Sequence, residues 1–287
     1  MTRCSGIALA MLAGVLAPGP ASAQAHGAPQ RIVTLNACAD QIVVDLVPRE
    51  RIRAVSHLAA DPLTSAVAEK ARGIPWTRGN AEEVLAFDPD LVIAGEYTTP
   101  ATVALLERLG LKILKVPDAS DFNGARAVTR LIADAVGERE KAERLLADFD
   151  RRIAAAAPAD PSWRPKAVVY QVNNLASGPG SIADTVLRAA GFTNLTAELN
   201  LGSGGQLPLE ALVADPPDLI VLSGPTDEYR TVVADNLRHP ALAALMRMRR
   251  TTTLPWRLWL CATLHLAEAV EHLAAVRATM TPRAEAR

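Results

Sequence analysis

Aromatic side chains are scarce: four Trp, three Tyr and four Phe make up 4% of the 287 residues. Each Trp or Tyr is therefore worth placing individually. An excess of one charge is also missing, because 30 Lys+Arg stand against 31 Asp+Glu. That balance argues against nucleic-acid or membrane-surface binding driven by electrostatics, since either needs a basic surplus. Beyond the N-terminus no uncharged apolar run is long enough to cross a bilayer. Strong catalytic signatures are absent: there is no Gly-x-Ser-x-Gly, no P-loop and no HExxH. The glycine-rich residues 202–205 lack the following Lys-Ser/Thr of a phosphate cradle and read as a loop. What is present is apolar. At 49% hydrophobic and 21% charged, the chain is too apolar for disorder and long enough for two ordinary α/β lobes. Twenty prolines mark many short element boundaries.

Arg3, the apolar residues 6–17 and the Ala21-Ser22-Ala23 cleavage pattern read together as a secretory signal over residues 1–23. Its apolar stretch is too short for a spanning helix, and no Cys ends it, so no lipid anchor is expected. The product is expected to be exported to the periplasm and soluble after cleavage. Export places Cys38 and Cys261 in an oxidising compartment. Three readings of this pair stand side by side: a disulfide closing a large loop, soft ligands for a metal or metal complex, or inert buried thiols.

Apolar, β-branched runs at 32–35, 52–55, 91–94 and 113–116 read as buried strands, with helical composition between them as at 101–109. Strand–helix alternation of this kind predicts a largely parallel sheet with helices on its faces. Val128, Leu131, Ile132 and Ala135 then share one helical face. Gly137 interrupts, and Ala142, Leu145, Leu146, Phe149 and Ile153 form a second stripe. About 20 residues of helix span roughly 30 Å, the width of a small domain. After Pro158, Pro161 and Pro165 the alternation resumes, with strands at 167–172 and 219–222. The expected fold is α/β: two Rossmann-like lobes with mostly parallel sheets, joined by a long rigid interlobe helix. The divisions are a signal peptide at 1–23, an N-terminal lobe at 24–120, a helical linker at 121–160 and a C-terminal lobe at 161–287.

An internal repeat carries the most information. Residues 81–93 align without gaps on residues 209–221, each reading as a short amphipathic helix, a Pro-Asp turn and a buried strand. Glu82 and Glu210 fall at matched positions in the first turn, where the helix dipole favours an acid.

The start at residues 31–35, the paired Glu…Pro-Asp-Leu segments, the interlobe helix and the strand at 167–171 together resemble a periplasmic substrate-binding protein of an ABC importer. The similarity is to the helical-backbone class that carries cobalamin, ferric siderophores and haem, and it runs from about Arg31 to the last helix. The resemblance implies that Glu82 and Glu210 dock onto arginines of the permease, as rigidly held carboxylates can receive guanidinium groups bidentately. It also implies an interlobe cleft in which aromatic rings cover a macrocycle or planar chelate. Trp76 resembles a cleft tryptophan of the cobalamin-binding relatives. Tyr97, past the strand at 91–94, Tyr170, ending the first strand of the second lobe, and Trp256 and Trp259, flanking the last strand, complete the aromatic set. Asn36, Gln171 and Asn173 are the polar contacts, and His57 is a candidate axial ligand to a haem or cobalt centre.

Departures from the relatives leave the cargo open. Residues 56–61 lack the tyrosine of close cobalamin binders, and residues 256–261 lack their charged ligand contacts. His26, His239, His265 and His272 show no spacing for a bare metal ion. No resident cofactor is expected. The partners are a small metal complex and an importer permease with its ATPase, which supplies the energy; no nucleic-acid partner is expected, and the chain is read as a monomer. The alternative class is an enzyme, a periplasmic metal chelatase of similar fold, for which His57 with Asp61 is the one candidate base and ligand pair.

Overall fold

Alternation of apolar residues assigns each strand a face, and the two faces of each sheet are covered by different helices. The computed structural model describes residues 27–199, 201–224 and 236–281; the leader read at residues 1–23 and His26 lie outside them. The first sheet is built from β1 (Ile32–Thr34), β2 (Ile52–Ser56), β3 (Trp76–Thr77), β4 (Leu91–Gly95) and β5 (Ile113–Val116), in the order β3-β2-β1-β4-β5 and wholly parallel. Ile32, Leu91 and Ile93 point to one face, against helices α1 (Ala37–Leu46) and α5 (Phe122–Val136). Val33 and Val92 point to the other, against α3 (Ala81–Ala86) and α4 (Pro100–Arg108). Strands buried on both faces are what a parallel sheet demands. The short α2 (Ala68–Ala71) precedes β3.

The second sheet has β11 (Arg250–Thr253), β10 (Leu219–Leu222) and β6 (Lys166–Tyr170) in parallel, and β8 (Thr193–Asn194) adds parallel pairing to β6. Beyond β6 the pattern changes: β7 (Leu175–Ser177) runs antiparallel to β6, and β9 (Gly204–Gln206) runs antiparallel to β7. The glycine-rich segment expected as a loop therefore contributes an edge strand; without side chains to clash, it lies against β7. Ala167, Val169, Leu219 and Val221 face α7 (Ile182–Ala189) and α10 (Leu266–Ala278). Val168, Tyr170, Ile220 and Leu222 face α8 (Leu209–Ala214) and α9 (Pro240–Met248).

The aligned repeat is structural. Leu91 pairs with Ile32 as Leu219 pairs with Ala167. The aspartate before each strand clamps its neighbour: Asp90 accepts from the backbone N–H groups of Gln30 and Arg31 at 2.8 and 2.9 Å, and Asp218 accepts from that of Lys166 at 2.9 Å. A carboxylate that satisfies strand-end donors fixes register at both places.

Two antiparallel helices join the lobes. Gly137 ends α5 in the left-handed region (φ 76°) and frees the chain to reverse into α6 (Arg139–Ala155). Arg126–Asp150 and Arg130–Glu143 pair across the hairpin at 2.6 and 2.7 Å. At about 1.5 Å per residue, the 17 residues of α6 reach from one core to the other. Ala142 packs in the first lobe and Phe149 in the second. Lys141 Nζ donates to Leu46 O, and Arg152 pairs with Glu271 of α10, so both halves of the helix are tied down. No helix among the described residues is long and apolar enough to cross a membrane.

Candidate functional site between the lobes

Parallel strands present their carboxyl ends, and the helix N-termini that follow, on one edge of the sheet. Here those edges meet at a crevice of about 120 Å³ built from both lobes: Asn36, Cys38 and Pro117 on one side, Ile182, Leu260 and Cys261 on the other. Its floor is covalent. Cys38 and Cys261 form a disulfide with Cα atoms 5.3 Å apart, closing a separation of 223 residues. Of the three readings of these cysteines, the structure holds the disulfide.

Two further hollows lie at the carboxyl ends of strands. One, of about 560 Å³, lies along α4 between Gly95–Thr98 and Lys115–Pro117, and shares Val116 and Pro117 with the crevice. Its walls are mainly Pro100, Val103 and Ala104, with the Glu107–Lys115 ion pair (2.8 Å) at its rim. The other, about 170 Å³, opens between the ends of β6 and β10, lined by Tyr170, Gln171, Ser223, Gly224 and Trp256. Ser223 Oγ is buried without a hydrogen-bond partner beside it.

The aromatic residues divide into two groups. Trp76 is 52% exposed at the end of the edge strand β3, with the Arg78 guanidinium 5.2 Å from its ring centroid. Tyr97 is 83% exposed on the turn after β4. Trp256 is half-buried and lines the smaller hollow. These three offer ring faces. Tyr170 and Trp259 do not. Tyr170 is fully buried in the second lobe's core, its hydroxyl donating to Asn174 Oδ1 at 2.7 Å, and it supports the hollow from beneath. Trp259 is buried against α10, its indole N–H donating to Leu254 O and its ring set edge-on to Trp256. Both tryptophans follow β11 on a 3₁₀ turn instead of flanking a strand. A large ring at a strand end serves the core as readily as the cleft, and the sequence pattern does not separate the two.

Among the polar candidates, Asn36 is the N-cap of α1: its Oδ1 accepts from the N–H groups of Cys38 and Ala39. Its side chain also fills the space over Gly95, where an added Cβ would stand 2.1 Å from Asn36 Nδ2. Gln171 is half-buried, donates from Nε2 to Ser177 Oγ and lines the smaller hollow. Asn173 is exposed with φ 56°, its backbone N–H held by Asn236 Oδ1. His57 is exposed at the end of β2, its N–H donating to Thr77 O. Asp61 is not paired with it: that carboxylate accepts from Leu63 N and Thr64 Oγ1 and holds its own turn. Among the described residues no three His, Cys, Asp or Glu side chains converge as around a metal ion.

Glu82 and Glu210 are both exposed in the first turns of α3 and α8. Helix α3 begins just after β3, and α8 just after β9, which runs in the same direction as β6. Both acids consequently stand on the carboxyl-end rim, one per lobe. Their anchoring differs. Asn80 caps α3, and Glu83 Oε2 accepts from Thr77 Oγ1 and Arg78 N, so that the Glu83 carboxyl is held below its ordinary range. Helix α8 starts at Pro208 with no side-chain cap.

Sequence reasoning missed what lies beneath and beside the crevice. Asp40, fully buried in α1, accepts from Thr34 Oγ1 and from Ser56 N and Oγ. Burial pushes its carboxyl up to about 6, against the opposing pull of those hydrogen bonds. Thr263 Oγ1 donates to Gln41 Oε1 at 3.2 Å, and His265 Nε2 lies 2.9 Å from Asp45 Oδ2, both between the lobes. Burial raises the Asp45 carboxyl, but His265 and Lys70 outweigh it and hold it below its ordinary range.

A family model described as periplasmic binding protein matches residues 32–247. A cobalamin-binding protein of Halobacterium salinarum is 29% identical over 229 residues, covering 78% of this chain; the chain spans 60% of that relative's length. The periplasmic heme-binding protein RhuT from Roseiflexus sp. RS-1, in apo form, superposes with a TM-score of 0.69 at 24% identity, over 86% of this chain and 97% of that one. The periplasmic heme-binding protein HutB of Vibrio cholerae gives a TM-score of 0.73 at 17% identity, over 86% and 98%.

Proposed function

From a chain that belongs to the periplasmic binding protein family, a family of binding proteins and not of enzymes, we propose an exported solute-binding protein that captures a metal–organic complex between its lobes and hands it to an ABC permease. The cargo class is a corrinoid, a ferric siderophore or haem. This draws on the relatives, one named for binding cobalamin and two solved structures named for binding heme. The observation that supports it is the crevice with walls from both lobes. Alone it is too small for such a chelate, but it shares Val116 and Pro117 with the hollow of about 560 Å³ along α4. Glu82 and Glu210 stand in matched first turns, one per lobe. The exposed rings of Trp76, Tyr97 and Trp256 supply apolar faces that a planar or macrocyclic chelate can cover. The paired helices between the lobes favour modest closure over a wide hinge. The permease and its ATPase supply the energy, and the protein leaves the cytoplasm by the leader at residues 1–23.

Two measurements test this. Titration with cyanocobalamin, haemin and a ferric siderophore should quench Trp fluorescence for one class, with a Kd well below about 100 μM, a free energy beyond roughly 5 kcal/mol; no binding by any class sinks the proposal. Glu82→Lys with Glu210→Lys should abolish uptake while leaving cargo affinity within twofold. Weakened binding instead would place these acids in the pocket.

A further inference from the structure

We infer that one face of α1 is a latch which sets the separation of the lobes and thereby positions the walls of the cargo crevice. The inference rests on the reading of that crevice as the cargo site. Cys38, Gln41 and Asp45 are spaced i, i+3, i+7 and so share a single helical face. They meet alternate residues of one segment of the other lobe: Cys261, Thr263 and His265. The segment 261–265 is bent and turns into α10, with the Thr263 N–H donating to Cys261 O, yet its alternate residues meet the one helical face.

The rungs differ in chemistry. The innermost is covalent and lies in the crevice floor. The middle rung is neutral and buried, with Gln41 only 1% exposed. At the outermost, His265 Nε2 lies 2.9 Å from Asp45 Oδ2 without a well-aligned hydrogen bond, and the other oxygen of Asp45 pairs with Lys70 of its own lobe. Gln41 Nε2 is buried without a partner. A contact built for stability alone would place an apolar side chain there, since an unpaired buried donor is a net cost. Polar groups retained at an interface fix which residue meets which. The bridge spans 223 residues, so it constrains lobe against lobe and no local loop. Cys38, Gln41 and Asp45 thus act as positioning residues for cargo, without Gln41 or Asp45 touching it.

The test compares the oxidised protein with the same protein treated with dithiothreitol, which delivers two electrons and two protons to the bridge and leaves two thiols. Small-angle X-ray scattering of the unliganded forms and titration with cyanocobalamin and haemin are read together, with far-ultraviolet circular dichroism as the control for folding. Reduction should raise the radius of gyration beyond experimental error and weaken cargo binding at least tenfold, with the dichroism spectrum retained. An unchanged radius with affinity within twofold overturns the latch. If neither probe nor a ferric siderophore binds the oxidised protein, the cargo reading fails while scattering still decides the latch. Should reduction unfold the chain, the Gln41→Met/His265→Gln variant with the bridge intact takes over. It should bind at least threefold more weakly, and wild-type affinity would overturn the inference.

Discussion

The lobes share a frame and differ at the one place where α/β sheets usually bind ligands. In each, the strand order reverses beside the first strand, between β1 and β4 or between β6 and β10. In the first lobe that switch point is filled: Asn36 caps α1 and lies so close to Gly95 that no Cβ fits. In the second it is open, a hollow of about 170 Å³ beside Gln171, Ser223 and Trp256. The helix–turn–strand repeat and its clamping aspartates survive in both. The first lobe's switch point anchors a helix bonded to the other lobe, and the first lobe's own hollow lies one strand away, between the ends of β4 and β5; the second lobe's lies at the switch point itself. The scaffold is the same in both halves, and the strand ends differ.

Three perturbations sharpen the contrast, in order of expected size. Reducing the bridge releases a loop of 223 residues, a loss of about 5 kcal/mol on the chain-entropy account. Urea unfolding should move to lower denaturant and split into separate transitions for the two lobes. A loss under about 1 kcal/mol would mean that the lobes hold each other without it. Phe149→Ala comes next. Helix α6 gives the second lobe a large ring, stacked edge-on to Phe122, but gives the first the smaller Ala142 and the partly buried Leu145. The cost should be about 4 kcal/mol, seen in hydrogen exchange as early opening around α7 and α10 while the first sheet stays protected.

The smallest effect distinguishes the buried aspartates of the two lobes' opening helices. Asp184 lies 3.9 Å from Arg188, whereas Asp40 accepts hydrogen bonds from Thr34 and Ser56. The folded pKa of Asp40, about 6 against an ordinary 3.8, means that the folded state binds the proton more tightly. Its stabilising contribution is complete below the ordinary pKa and is lost as pH rises through about 4 to 6, by up to roughly 3 kcal/mol. Asp40→Asn should flatten that slope and keep stability at neutral pH, as the amide can meet the same hydroxyls. A slope unchanged in the variant assigns the effect elsewhere.

Much of the frame was legible in the sequence because it rests on periodicity. The strands at residues 91–94 and 219–222, the break at Gly137 and the matched Glu82 and Glu210 all come from patterns repeated along the chain. The site was less legible. Tyr170 and Trp259 end or follow strands as cleft residues do, yet the ring of one closes a core and the indole of the other is consumed by Leu254 O. Asn36 lines the crevice, and its Oδ1 is also spent as the cap of α1, a role an Asn before a helix takes first. The latch had a local trace in the helical spacing of residues 38, 41 and 45. Its other half lies more than 200 residues away in irregular chain, where no period exists to read.

The central claim, that cargo is held by both lobes at once, is tested most directly by hydrogen–deuterium exchange with and without the chelate that binds. The account predicts new protection around residues 76–80 and 95–98 of the first lobe together with 171–174 and 256–262 of the second. Protection confined to one lobe, at whatever affinity, would contradict it.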